Sequence, residues 1–251
     1  MIYEKLPVVL LSELATEKSD STNHVIADYV LTHQKEIKEM GIKELAAECH
    51  VGTGSVSRFV RDIGLKDFTE LKNILIKNKS SFVLQEGEDY TKDWTDYVCN
   101  SLYRVKDTLD FHQVKRLCED IQKYEKISAY GMLKAESAAI NLQVDMLMMG
   151  KRVYTSVAYA DQMEGILNAN KNELIIIFSY TGSFFEYHSF RNKEQYLKRP
   201  KIWMICSGNK TFPDYVNEVL HFDSELDQRS HPYQLEAVES LIVQTYAHMY
   251  L

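Results

Sequence analysis

Two short stretches carry side chains whose chemistry can be named before any fold is assigned. The first is Ser179-Tyr180-Thr181-Gly182-Ser183, which follows the apolar run Leu174-Ile-Ile-Ile-Phe178. Three hydroxyls and a glycine at the exit of a strand, with a helix expected to open near Phe184, make a phosphate cradle. Unpaired backbone amides and the positive helix end attract the anion, and the hydroxyls complete its hydrogen bonds. Serine and threonine ahead of a helix also serve as simple caps, so the same residues equally suit a capped turn. The second stretch runs from Thr53 to Ile63. At helical spacing Val56, Phe59, Val60 and Ile63 fall on one side, leaving Thr53, Ser55, Ser57, Arg58 and Arg61 over the remaining surface. Hydroxyls at a helix N-terminus suit phosphate oxygens, and arginine contacts either phosphate or the guanine edge in the major groove. Gly54 costs a helix ~1 kcal/mol relative to alanine, yet it permits a close backbone approach to DNA.

Each stretch needs elements to hold it. A helix-turn-helix requires two short helices and a tight turn. Ile42 to Cys49 and Thr53 to Ile63 meet that requirement, with Ala46 small where the helices approach, Val51 apolar in the turn and Gly64 as a left-handed C′ residue. A helix from about Thr22 to His33, capped by Asp20, Ser21 or Thr22, precedes them, followed by a charged connection ending at Gly41. Another helix, starting with Leu65, Phe68 and Leu71, reaches about Lys79. A plain three-helix bundle with arginines on a solvated face fits the same pattern. Ser80 to Asp93 is polar, acidic and aperiodic, as a linker would be. Trp94 to Leu109 and Phe111 to Tyr124 read as amphipathic helices. Beyond Lys126 short apolar strands alternate with helices: Ile127–Tyr130, Lys151–Tyr154, Leu174–Ser179, Ile202–Cys206 and a weaker Val219–Phe222. A helix is expected at about Ala135–Met149 and a closing one at Gln234–Tyr250. That rhythm implies βαβ units and a covered parallel sheet.

Composition bounds the rest. The chain has 251 residues, 45% hydrophobic and 26% charged, which is ordinary globular usage and room for two domains. The formal charge of −7 looks adverse for DNA. Locally, however, residues 51–80 carry Arg58, Arg61, Lys66, Lys72, Lys77 and Lys79 against only Asp62, Asp67 and Glu70. A local basic surface, not total charge, governs phosphate attraction. Cys49, Cys99, Cys118 and Cys206 form no CxxC pair, and the histidines show no ligand spacing, so neither a disulfide framework nor a metal site is expected. No apolar run approaches the ~20 residues of a membrane span, and the apolar patch Pro7–Leu11 lacks the features of a secretory signal. A cytoplasmic protein is expected. Glu186 and His188 near the cradle could act as an acid/base pair, although residues two apart on a helix do not face each other. Glu136 and Glu236 are further carboxylates of the type an isomerase uses, although most such residues are merely solvated.

The ordered set Ile42-Lys-Glu-Leu-Ala46, Val51-Gly-Thr-Gly-Ser-Val-Ser-Arg-Phe-Val60 and Asp62-Ile-Gly-Leu-Lys-Asp-Phe68 closely resembles the N-terminal domain of RpiR/MurR-type bacterial transcriptional regulators. It differs at Gly52, where that family usually has a capping serine. Such regulators carry a C-terminal sugar-isomerase (SIS) domain. Ser179-Tyr-Thr-Gly-Ser183 resembles its Ser-x-Ser-Gly-Thr phosphosugar motif, and Ile202–Cys206 with Ser207-Gly208-Asn209 resembles the next strand and loop. The family's Gly-x-Gly-x-Ser at the first strand exit is here Gly131-Met-Leu-Lys-Ala135, with Lys134 and Ser137 the nearest substitutes.

The resemblance implies a multi-domain protein. An all-α helix-turn-helix domain (1–80) and a linker (81–93) would precede an α/β three-layer SIS domain (94–251) with a mostly parallel five-stranded sheet. It implies a DNA-binding transcriptional regulator of carbohydrate metabolism genes, and not an enzyme. The partners are double-stranded DNA with a palindromic operator and a sugar-phosphate effector, in a homodimer or dimer of dimers without cofactor. DNA contacts would come from Thr53, Ser55, Ser57, Arg58, Arg61 and Lys66, and effector contacts from Ser179, Thr181, Gly182, Ser183 and Ser207. Two alternatives stand beside it: a phosphosugar isomerase with a helical extension, and a constitutive DNA binder whose SIS domain only dimerises.

Overall fold

A computed structural model describes residues 5–16, 18–77, 90–187, 194–207, 210–225 and 229–251, and the chain divides into two compact units. The first contains six helices: α1 (Lys5–Thr16), α2 (Thr22–Thr32), α3 (Gln34–Ile37), α4 (Ile42–Glu48), α5 (Thr53–Asp62) and α6 (Phe68–Lys77). Ser21 caps α2 by accepting from the His24 amide at 3.1 Å. Asp67 does the same for the Glu70 amide at 2.9 Å, at the start of α6. The apolar patch at the start of the chain is helical. Pro7 sits in the first turn of α1, where its missing N–H costs no hydrogen bond, and Val9 and Leu10 are buried. The expected charged connection contains α3, whose Ile37 is buried. Ile26, Val30, Leu45, Val56, Phe59, Val60, Leu65 and Leu71 complete this core. Full burial of each such side chain contributes about 1.5–3 kcal/mol.

The second unit opens with α7 (Tyr90–Thr108) and α8 (Phe111–Lys123), so the helix after the linker starts four residues earlier than the sequence suggests. Then follow β1 (Lys126–Gly131), α9 (Glu136–Met148), β2 (Val153–Tyr154), α10 (Tyr159–Asn168), β3 (Glu173–Phe178), α11 (Glu194–Leu197), β4 (Lys201–Cys206), β5 (Glu218–His221) and α12 (Tyr233–Tyr250). The five strands lie in the order β2-β1-β3-β4-β5, and every neighbouring pair is parallel. Alternation by twos sends Leu174, Ile176 and Phe178 of β3 into one core with Leu117 of α8, Leu142 of α9 and Ile242 of α12. Ile175 and Ile177 are buried on the opposite face. There α10 crosses Tyr130 so closely that a Cβ on Gly165 would sit 2.4 Å from the Tyr130 hydroxyl. The strand order reverses direction between β1 and β3. In open α/β sheets that switch point is where the carboxyl ends of the strands leave a ligand crevice.

Candidate functional site

In the first unit, α4 and α5 are joined by a turn that its own backbone bonds fix. The Glu44 carboxylate accepts from the Gly41 amide at 2.6 Å, closing the start of α4. At its end His50 takes φ of +54°. The His50 amide then reaches Ala47 O at 3.0 Å and the Val51 amide reaches Ala46 O at 2.9 Å, the paired bonds of a Schellman stop. Gly64 (φ +81°) ends α5 in the same way, with Leu65 N bonded to Val60 O at 3.0 Å. The C-termini of both helices are therefore closed by their own backbone.

On that surface Thr53, Gly54, Arg58 and Arg61 are exposed, and Ser55 and Ser57 half-exposed, while Val56, Phe59 and Val60 are fully buried beneath them. Gly52 is the N-cap and brings no side chain to the first amides of α5. A Cβ added at Gly54 would meet nothing within 4 Å. Lys66 is exposed just beyond the helix. Lys72 serves the fold instead, donating to Met40 O at 2.9 Å.

In the second unit the hydroxyl turn leaves β3 at the switch point. Ser179 N donates to Ile205 O at 3.0 Å and Ser207 N to Tyr180 O at 3.0 Å, which ties the exits of β3 and β4 together. Gly182 takes φ of +70°, and its amide closes the turn on Ser179 O at 2.7 Å. Ser183 is fully buried, and its Oγ accepts from Lys210 Nζ at 2.5 Å. Ser207 Oγ is buried without a hydrogen-bond partner among the described residues. Thr181 is half-exposed. The structure thus brings Ser179, Gly182, Ser183 and Ser207 together around one turn.

Where a helix is expected to open near Phe184 the chain makes a 3-10 turn, Phe184–Tyr187, and residues 188–193 after it lie outside the described residues. What the turn offers an anion is hydroxyls and the Lys210 ammonium. His188, Gly208 and Asn209 lie outside the described residues, and Glu186 is exposed.

The β1 exit departs from the expected motif in composition but keeps a sharp turn. A Cβ on Gly131 would lie 2.4 Å from Ala135 O, so glycine is required there. Leu133 adopts φ of +52°, a conformation costing an ordinary residue about 1–2 kcal/mol. Lys134 Nζ donates to His231 O at 3.2 Å and Ser137 Oγ to Lys134 O at 2.7 Å.

Sequence reasoning missed three side chains. Fully buried Gln162 donates to Gly131 O at 2.7 Å and Ser156 O at 2.6 Å, pinning the exits of β1 and β2. Lys210 reads in the sequence as one more solvated charge. Glu239 on α12 is buried, and its carboxyl is pushed up to about 8 by desolvation first, then by Asp145 and Glu236. Burial also raises Glu136. Among the described residues no cluster suited to a metal ion exists, and no helix is long and apolar enough to cross a membrane.

A helix-turn-helix head and a separate doubly wound parallel sheet with a hydroxyl turn at its switch point define a two-part class, an all-α unit followed by an α/β unit. Comparison with known proteins makes the first half specific. Residues 10–81 match the family described as "Helix-turn-helix domain, rpiR family". An uncharacterized HTH-type transcriptional regulator of Caldanaerobacter subterraneus is 27% identical over 170 residues, 63% of this chain and 59% of that protein. The chain spans about three-fifths of the length of that curated relative. Among solved structures, the Vibrio vulnificus NanR protein complexed with ManNAc-6P is similar over 98% of this chain and 92% of its own, with 16% identity and a TM-score of 0.56. A protein of Escherichia coli CFT073, solved as a complex, is similar over 64% of this chain and 89% of its own, with 12% identity and a TM-score of 0.54. These likenesses are of fold.

Proposed function

We propose that this chain is a sequence-specific DNA-binding transcriptional regulator, not an enzyme, whose α/β unit senses a small phosphorylated sugar and so controls carbohydrate metabolism genes from the cytoplasm. Residues 1–80 are the DNA-binding domain, 81–93 the linker and 94–251 the sensing and dimerising domain. Thr53, Ser55, Ser57, Arg58, Arg61 and Lys66 face the duplex. Ser179, Thr181, Gly182, Ser183 and Ser207 face the effector. The observation that carries the reading is the division of α5 into a fully buried apolar side and an exposed side bearing Arg58 and Arg61. The rpiR-family match of residues 10–81 and the regulator relative support it. NanR, solved with ManNAc-6P, supports a sugar phosphate as the class of effector.

The reading includes a homodimer or dimer of dimers. On α9, Ile140, Val144, Leu147 and Met148 form an exposed apolar stripe, the kind of surface that marks an interface. Two copies on a two-fold axis present two α5 helices to half-sites about one helical turn or a multiple apart, which makes the operator palindromic. The test is selection of double-stranded DNA bound by the full chain from a random pool. Enrichment of an inverted repeat is expected, and recovery of unenriched sequence alone would overturn the reading.

A further inference from the structure

We infer that Lys210 is an anion-binding residue of the effector turn and that, with Ser183, it restricts the site to ligands bearing an oxyanion. The inference rests on the effector reading above and names how the site selects within it.

Lys210 is an exposed residue whose ammonium turns onto the hydroxyl turn. Its ammonium donates to Ser183 Oγ at 2.5 Å, and Ser183 is itself fully buried. The segment carrying it lies against the turn: a Cβ on Gly182 would come within 2.9 Å of Phe212 Cζ and 3.6 Å of Cys206 Sγ. Gly182 thus leaves room for Phe212, and Phe212 holds the chain two residues past Lys210 over the turn.

The consequence is chemical. A lysine ammonium has three protons and no acceptor, whereas a serine hydroxyl can both give and accept. With Lys210 donating into its oxygen, Ser183 has its proton left to give, so the pair offers mainly donors. A neutral sugar hydroxyl can satisfy one such donor. A phosphate ester presents several charged acceptor oxygens, and charge-assisted bonds are shorter and roughly twice as strong. Ser207 Oγ points independently to an acceptor at this site, since it is 5% exposed and has no hydrogen-bond partner among the described residues. Its amide is bonded to Tyr180 O of the same turn. Buried hydroxyls without a partner are costly, and a bound acceptor would relieve that cost. The lysine ammonium brings a positive charge to the same turn.

The test is thermal shift and titration calorimetry on the full chain with inorganic phosphate, hexose 6-phosphates and the corresponding unphosphorylated sugars. In the wild type, hexose phosphates should raise the melting temperature while the free sugars do not. Lys210→Met should weaken sugar-phosphate binding at least tenfold, and Lys210→Arg should recover part of it. Lys171→Met, an equal change of charge at the opposite end of β3, should leave binding unaltered. Equal binding by wild type and Lys210→Met would overturn the inference while leaving the effector reading intact. Equal weakening by Lys171→Met would also overturn it, since the effect would then be one of net charge. If the wild type binds none of the sugar phosphates, the effector reading itself fails and this inference with it.

Discussion

Replacing Gly54 with alanine sets stability against DNA binding at one atom. Gly54 is exposed in the first turn of α5, and among the described residues nothing beyond its own helix backbone and chain neighbours lies within 4 Å of the position a Cβ would take. The chain's own packing therefore has no use for glycine there. Alanine should stabilise the helix by roughly 0.5–1 kcal/mol, because glycine loses more backbone freedom on folding. That corresponds to a roughly 2- to 5-fold rise in hydrogen-exchange protection of the α5 amides, measurable in the full chain. If the start of α5 approaches a duplex backbone, the added methyl group occupies the space between them. Operator affinity, read by fluorescence anisotropy on the selected sequence, should then fall at least tenfold. Opposite signs in the two assays are the expected result. A variant that is better protected and binds DNA as well as or better than the wild type would refute the placement of this turn against DNA.

Arg58→Ala and Arg61→Ala should each weaken operator binding by about 1–3 kcal/mol where the arginine reads a base, with circular dichroism unchanged. A phosphate contact would show instead as a shallower salt dependence with uniform weakening across sequences. Gly182→Ala places a side chain at φ of +70° against Phe212, so it should destabilise the second unit by at least ~1 kcal/mol and lower its melting temperature by about 2–4 °C. Glu239 has a folded-state pKa of about 8 against 4.5 for the free side chain. The folded protein therefore holds this proton more tightly, and the resulting stability is full below pH 4.5 and lost as pH rises through about 8. Glu239→Gln should flatten that part of the stability profile in urea titrations, and an unchanged slope would assign it to other groups.

The parts of this fold written in local pattern were readable, and those written in tertiary contact were not. Val56, Phe59, Val60 and Ile63 mark the buried side of α5 by spacing alone, and all four are buried. The run Leu174–Phe178 declares a strand covered on both faces because it has no polar residue to alternate, and it lies at the centre of the sheet. By contrast, α3 has only four residues and gains its place from the burial of Ile37, a contact invisible in a charged stretch. Serine before an apolar pair signals a helix start and a 3-10 turn alike, and at Phe184–Tyr187 the described residues form a 3-10 turn. Lys210 is 27 positions from Ser183 in the chain, so only the pairing of β3 with β4 brings the two together. Gln162 escaped notice because an amide pinning two backbone carbonyls leaves no compositional trace.

With its underside sealed by Phe59 and Val60 and its C-terminus closed by the backbone stop at Gly64, α5 is held to its own unit along its whole buried side. On the proposed reading, a metabolite signal acts on the position of this element rather than by loosening it. Regulation would have to be positional, changing where an unaltered block stands relative to its operator, and mutations that mimic either regulatory state should cluster outside the block rather than in it.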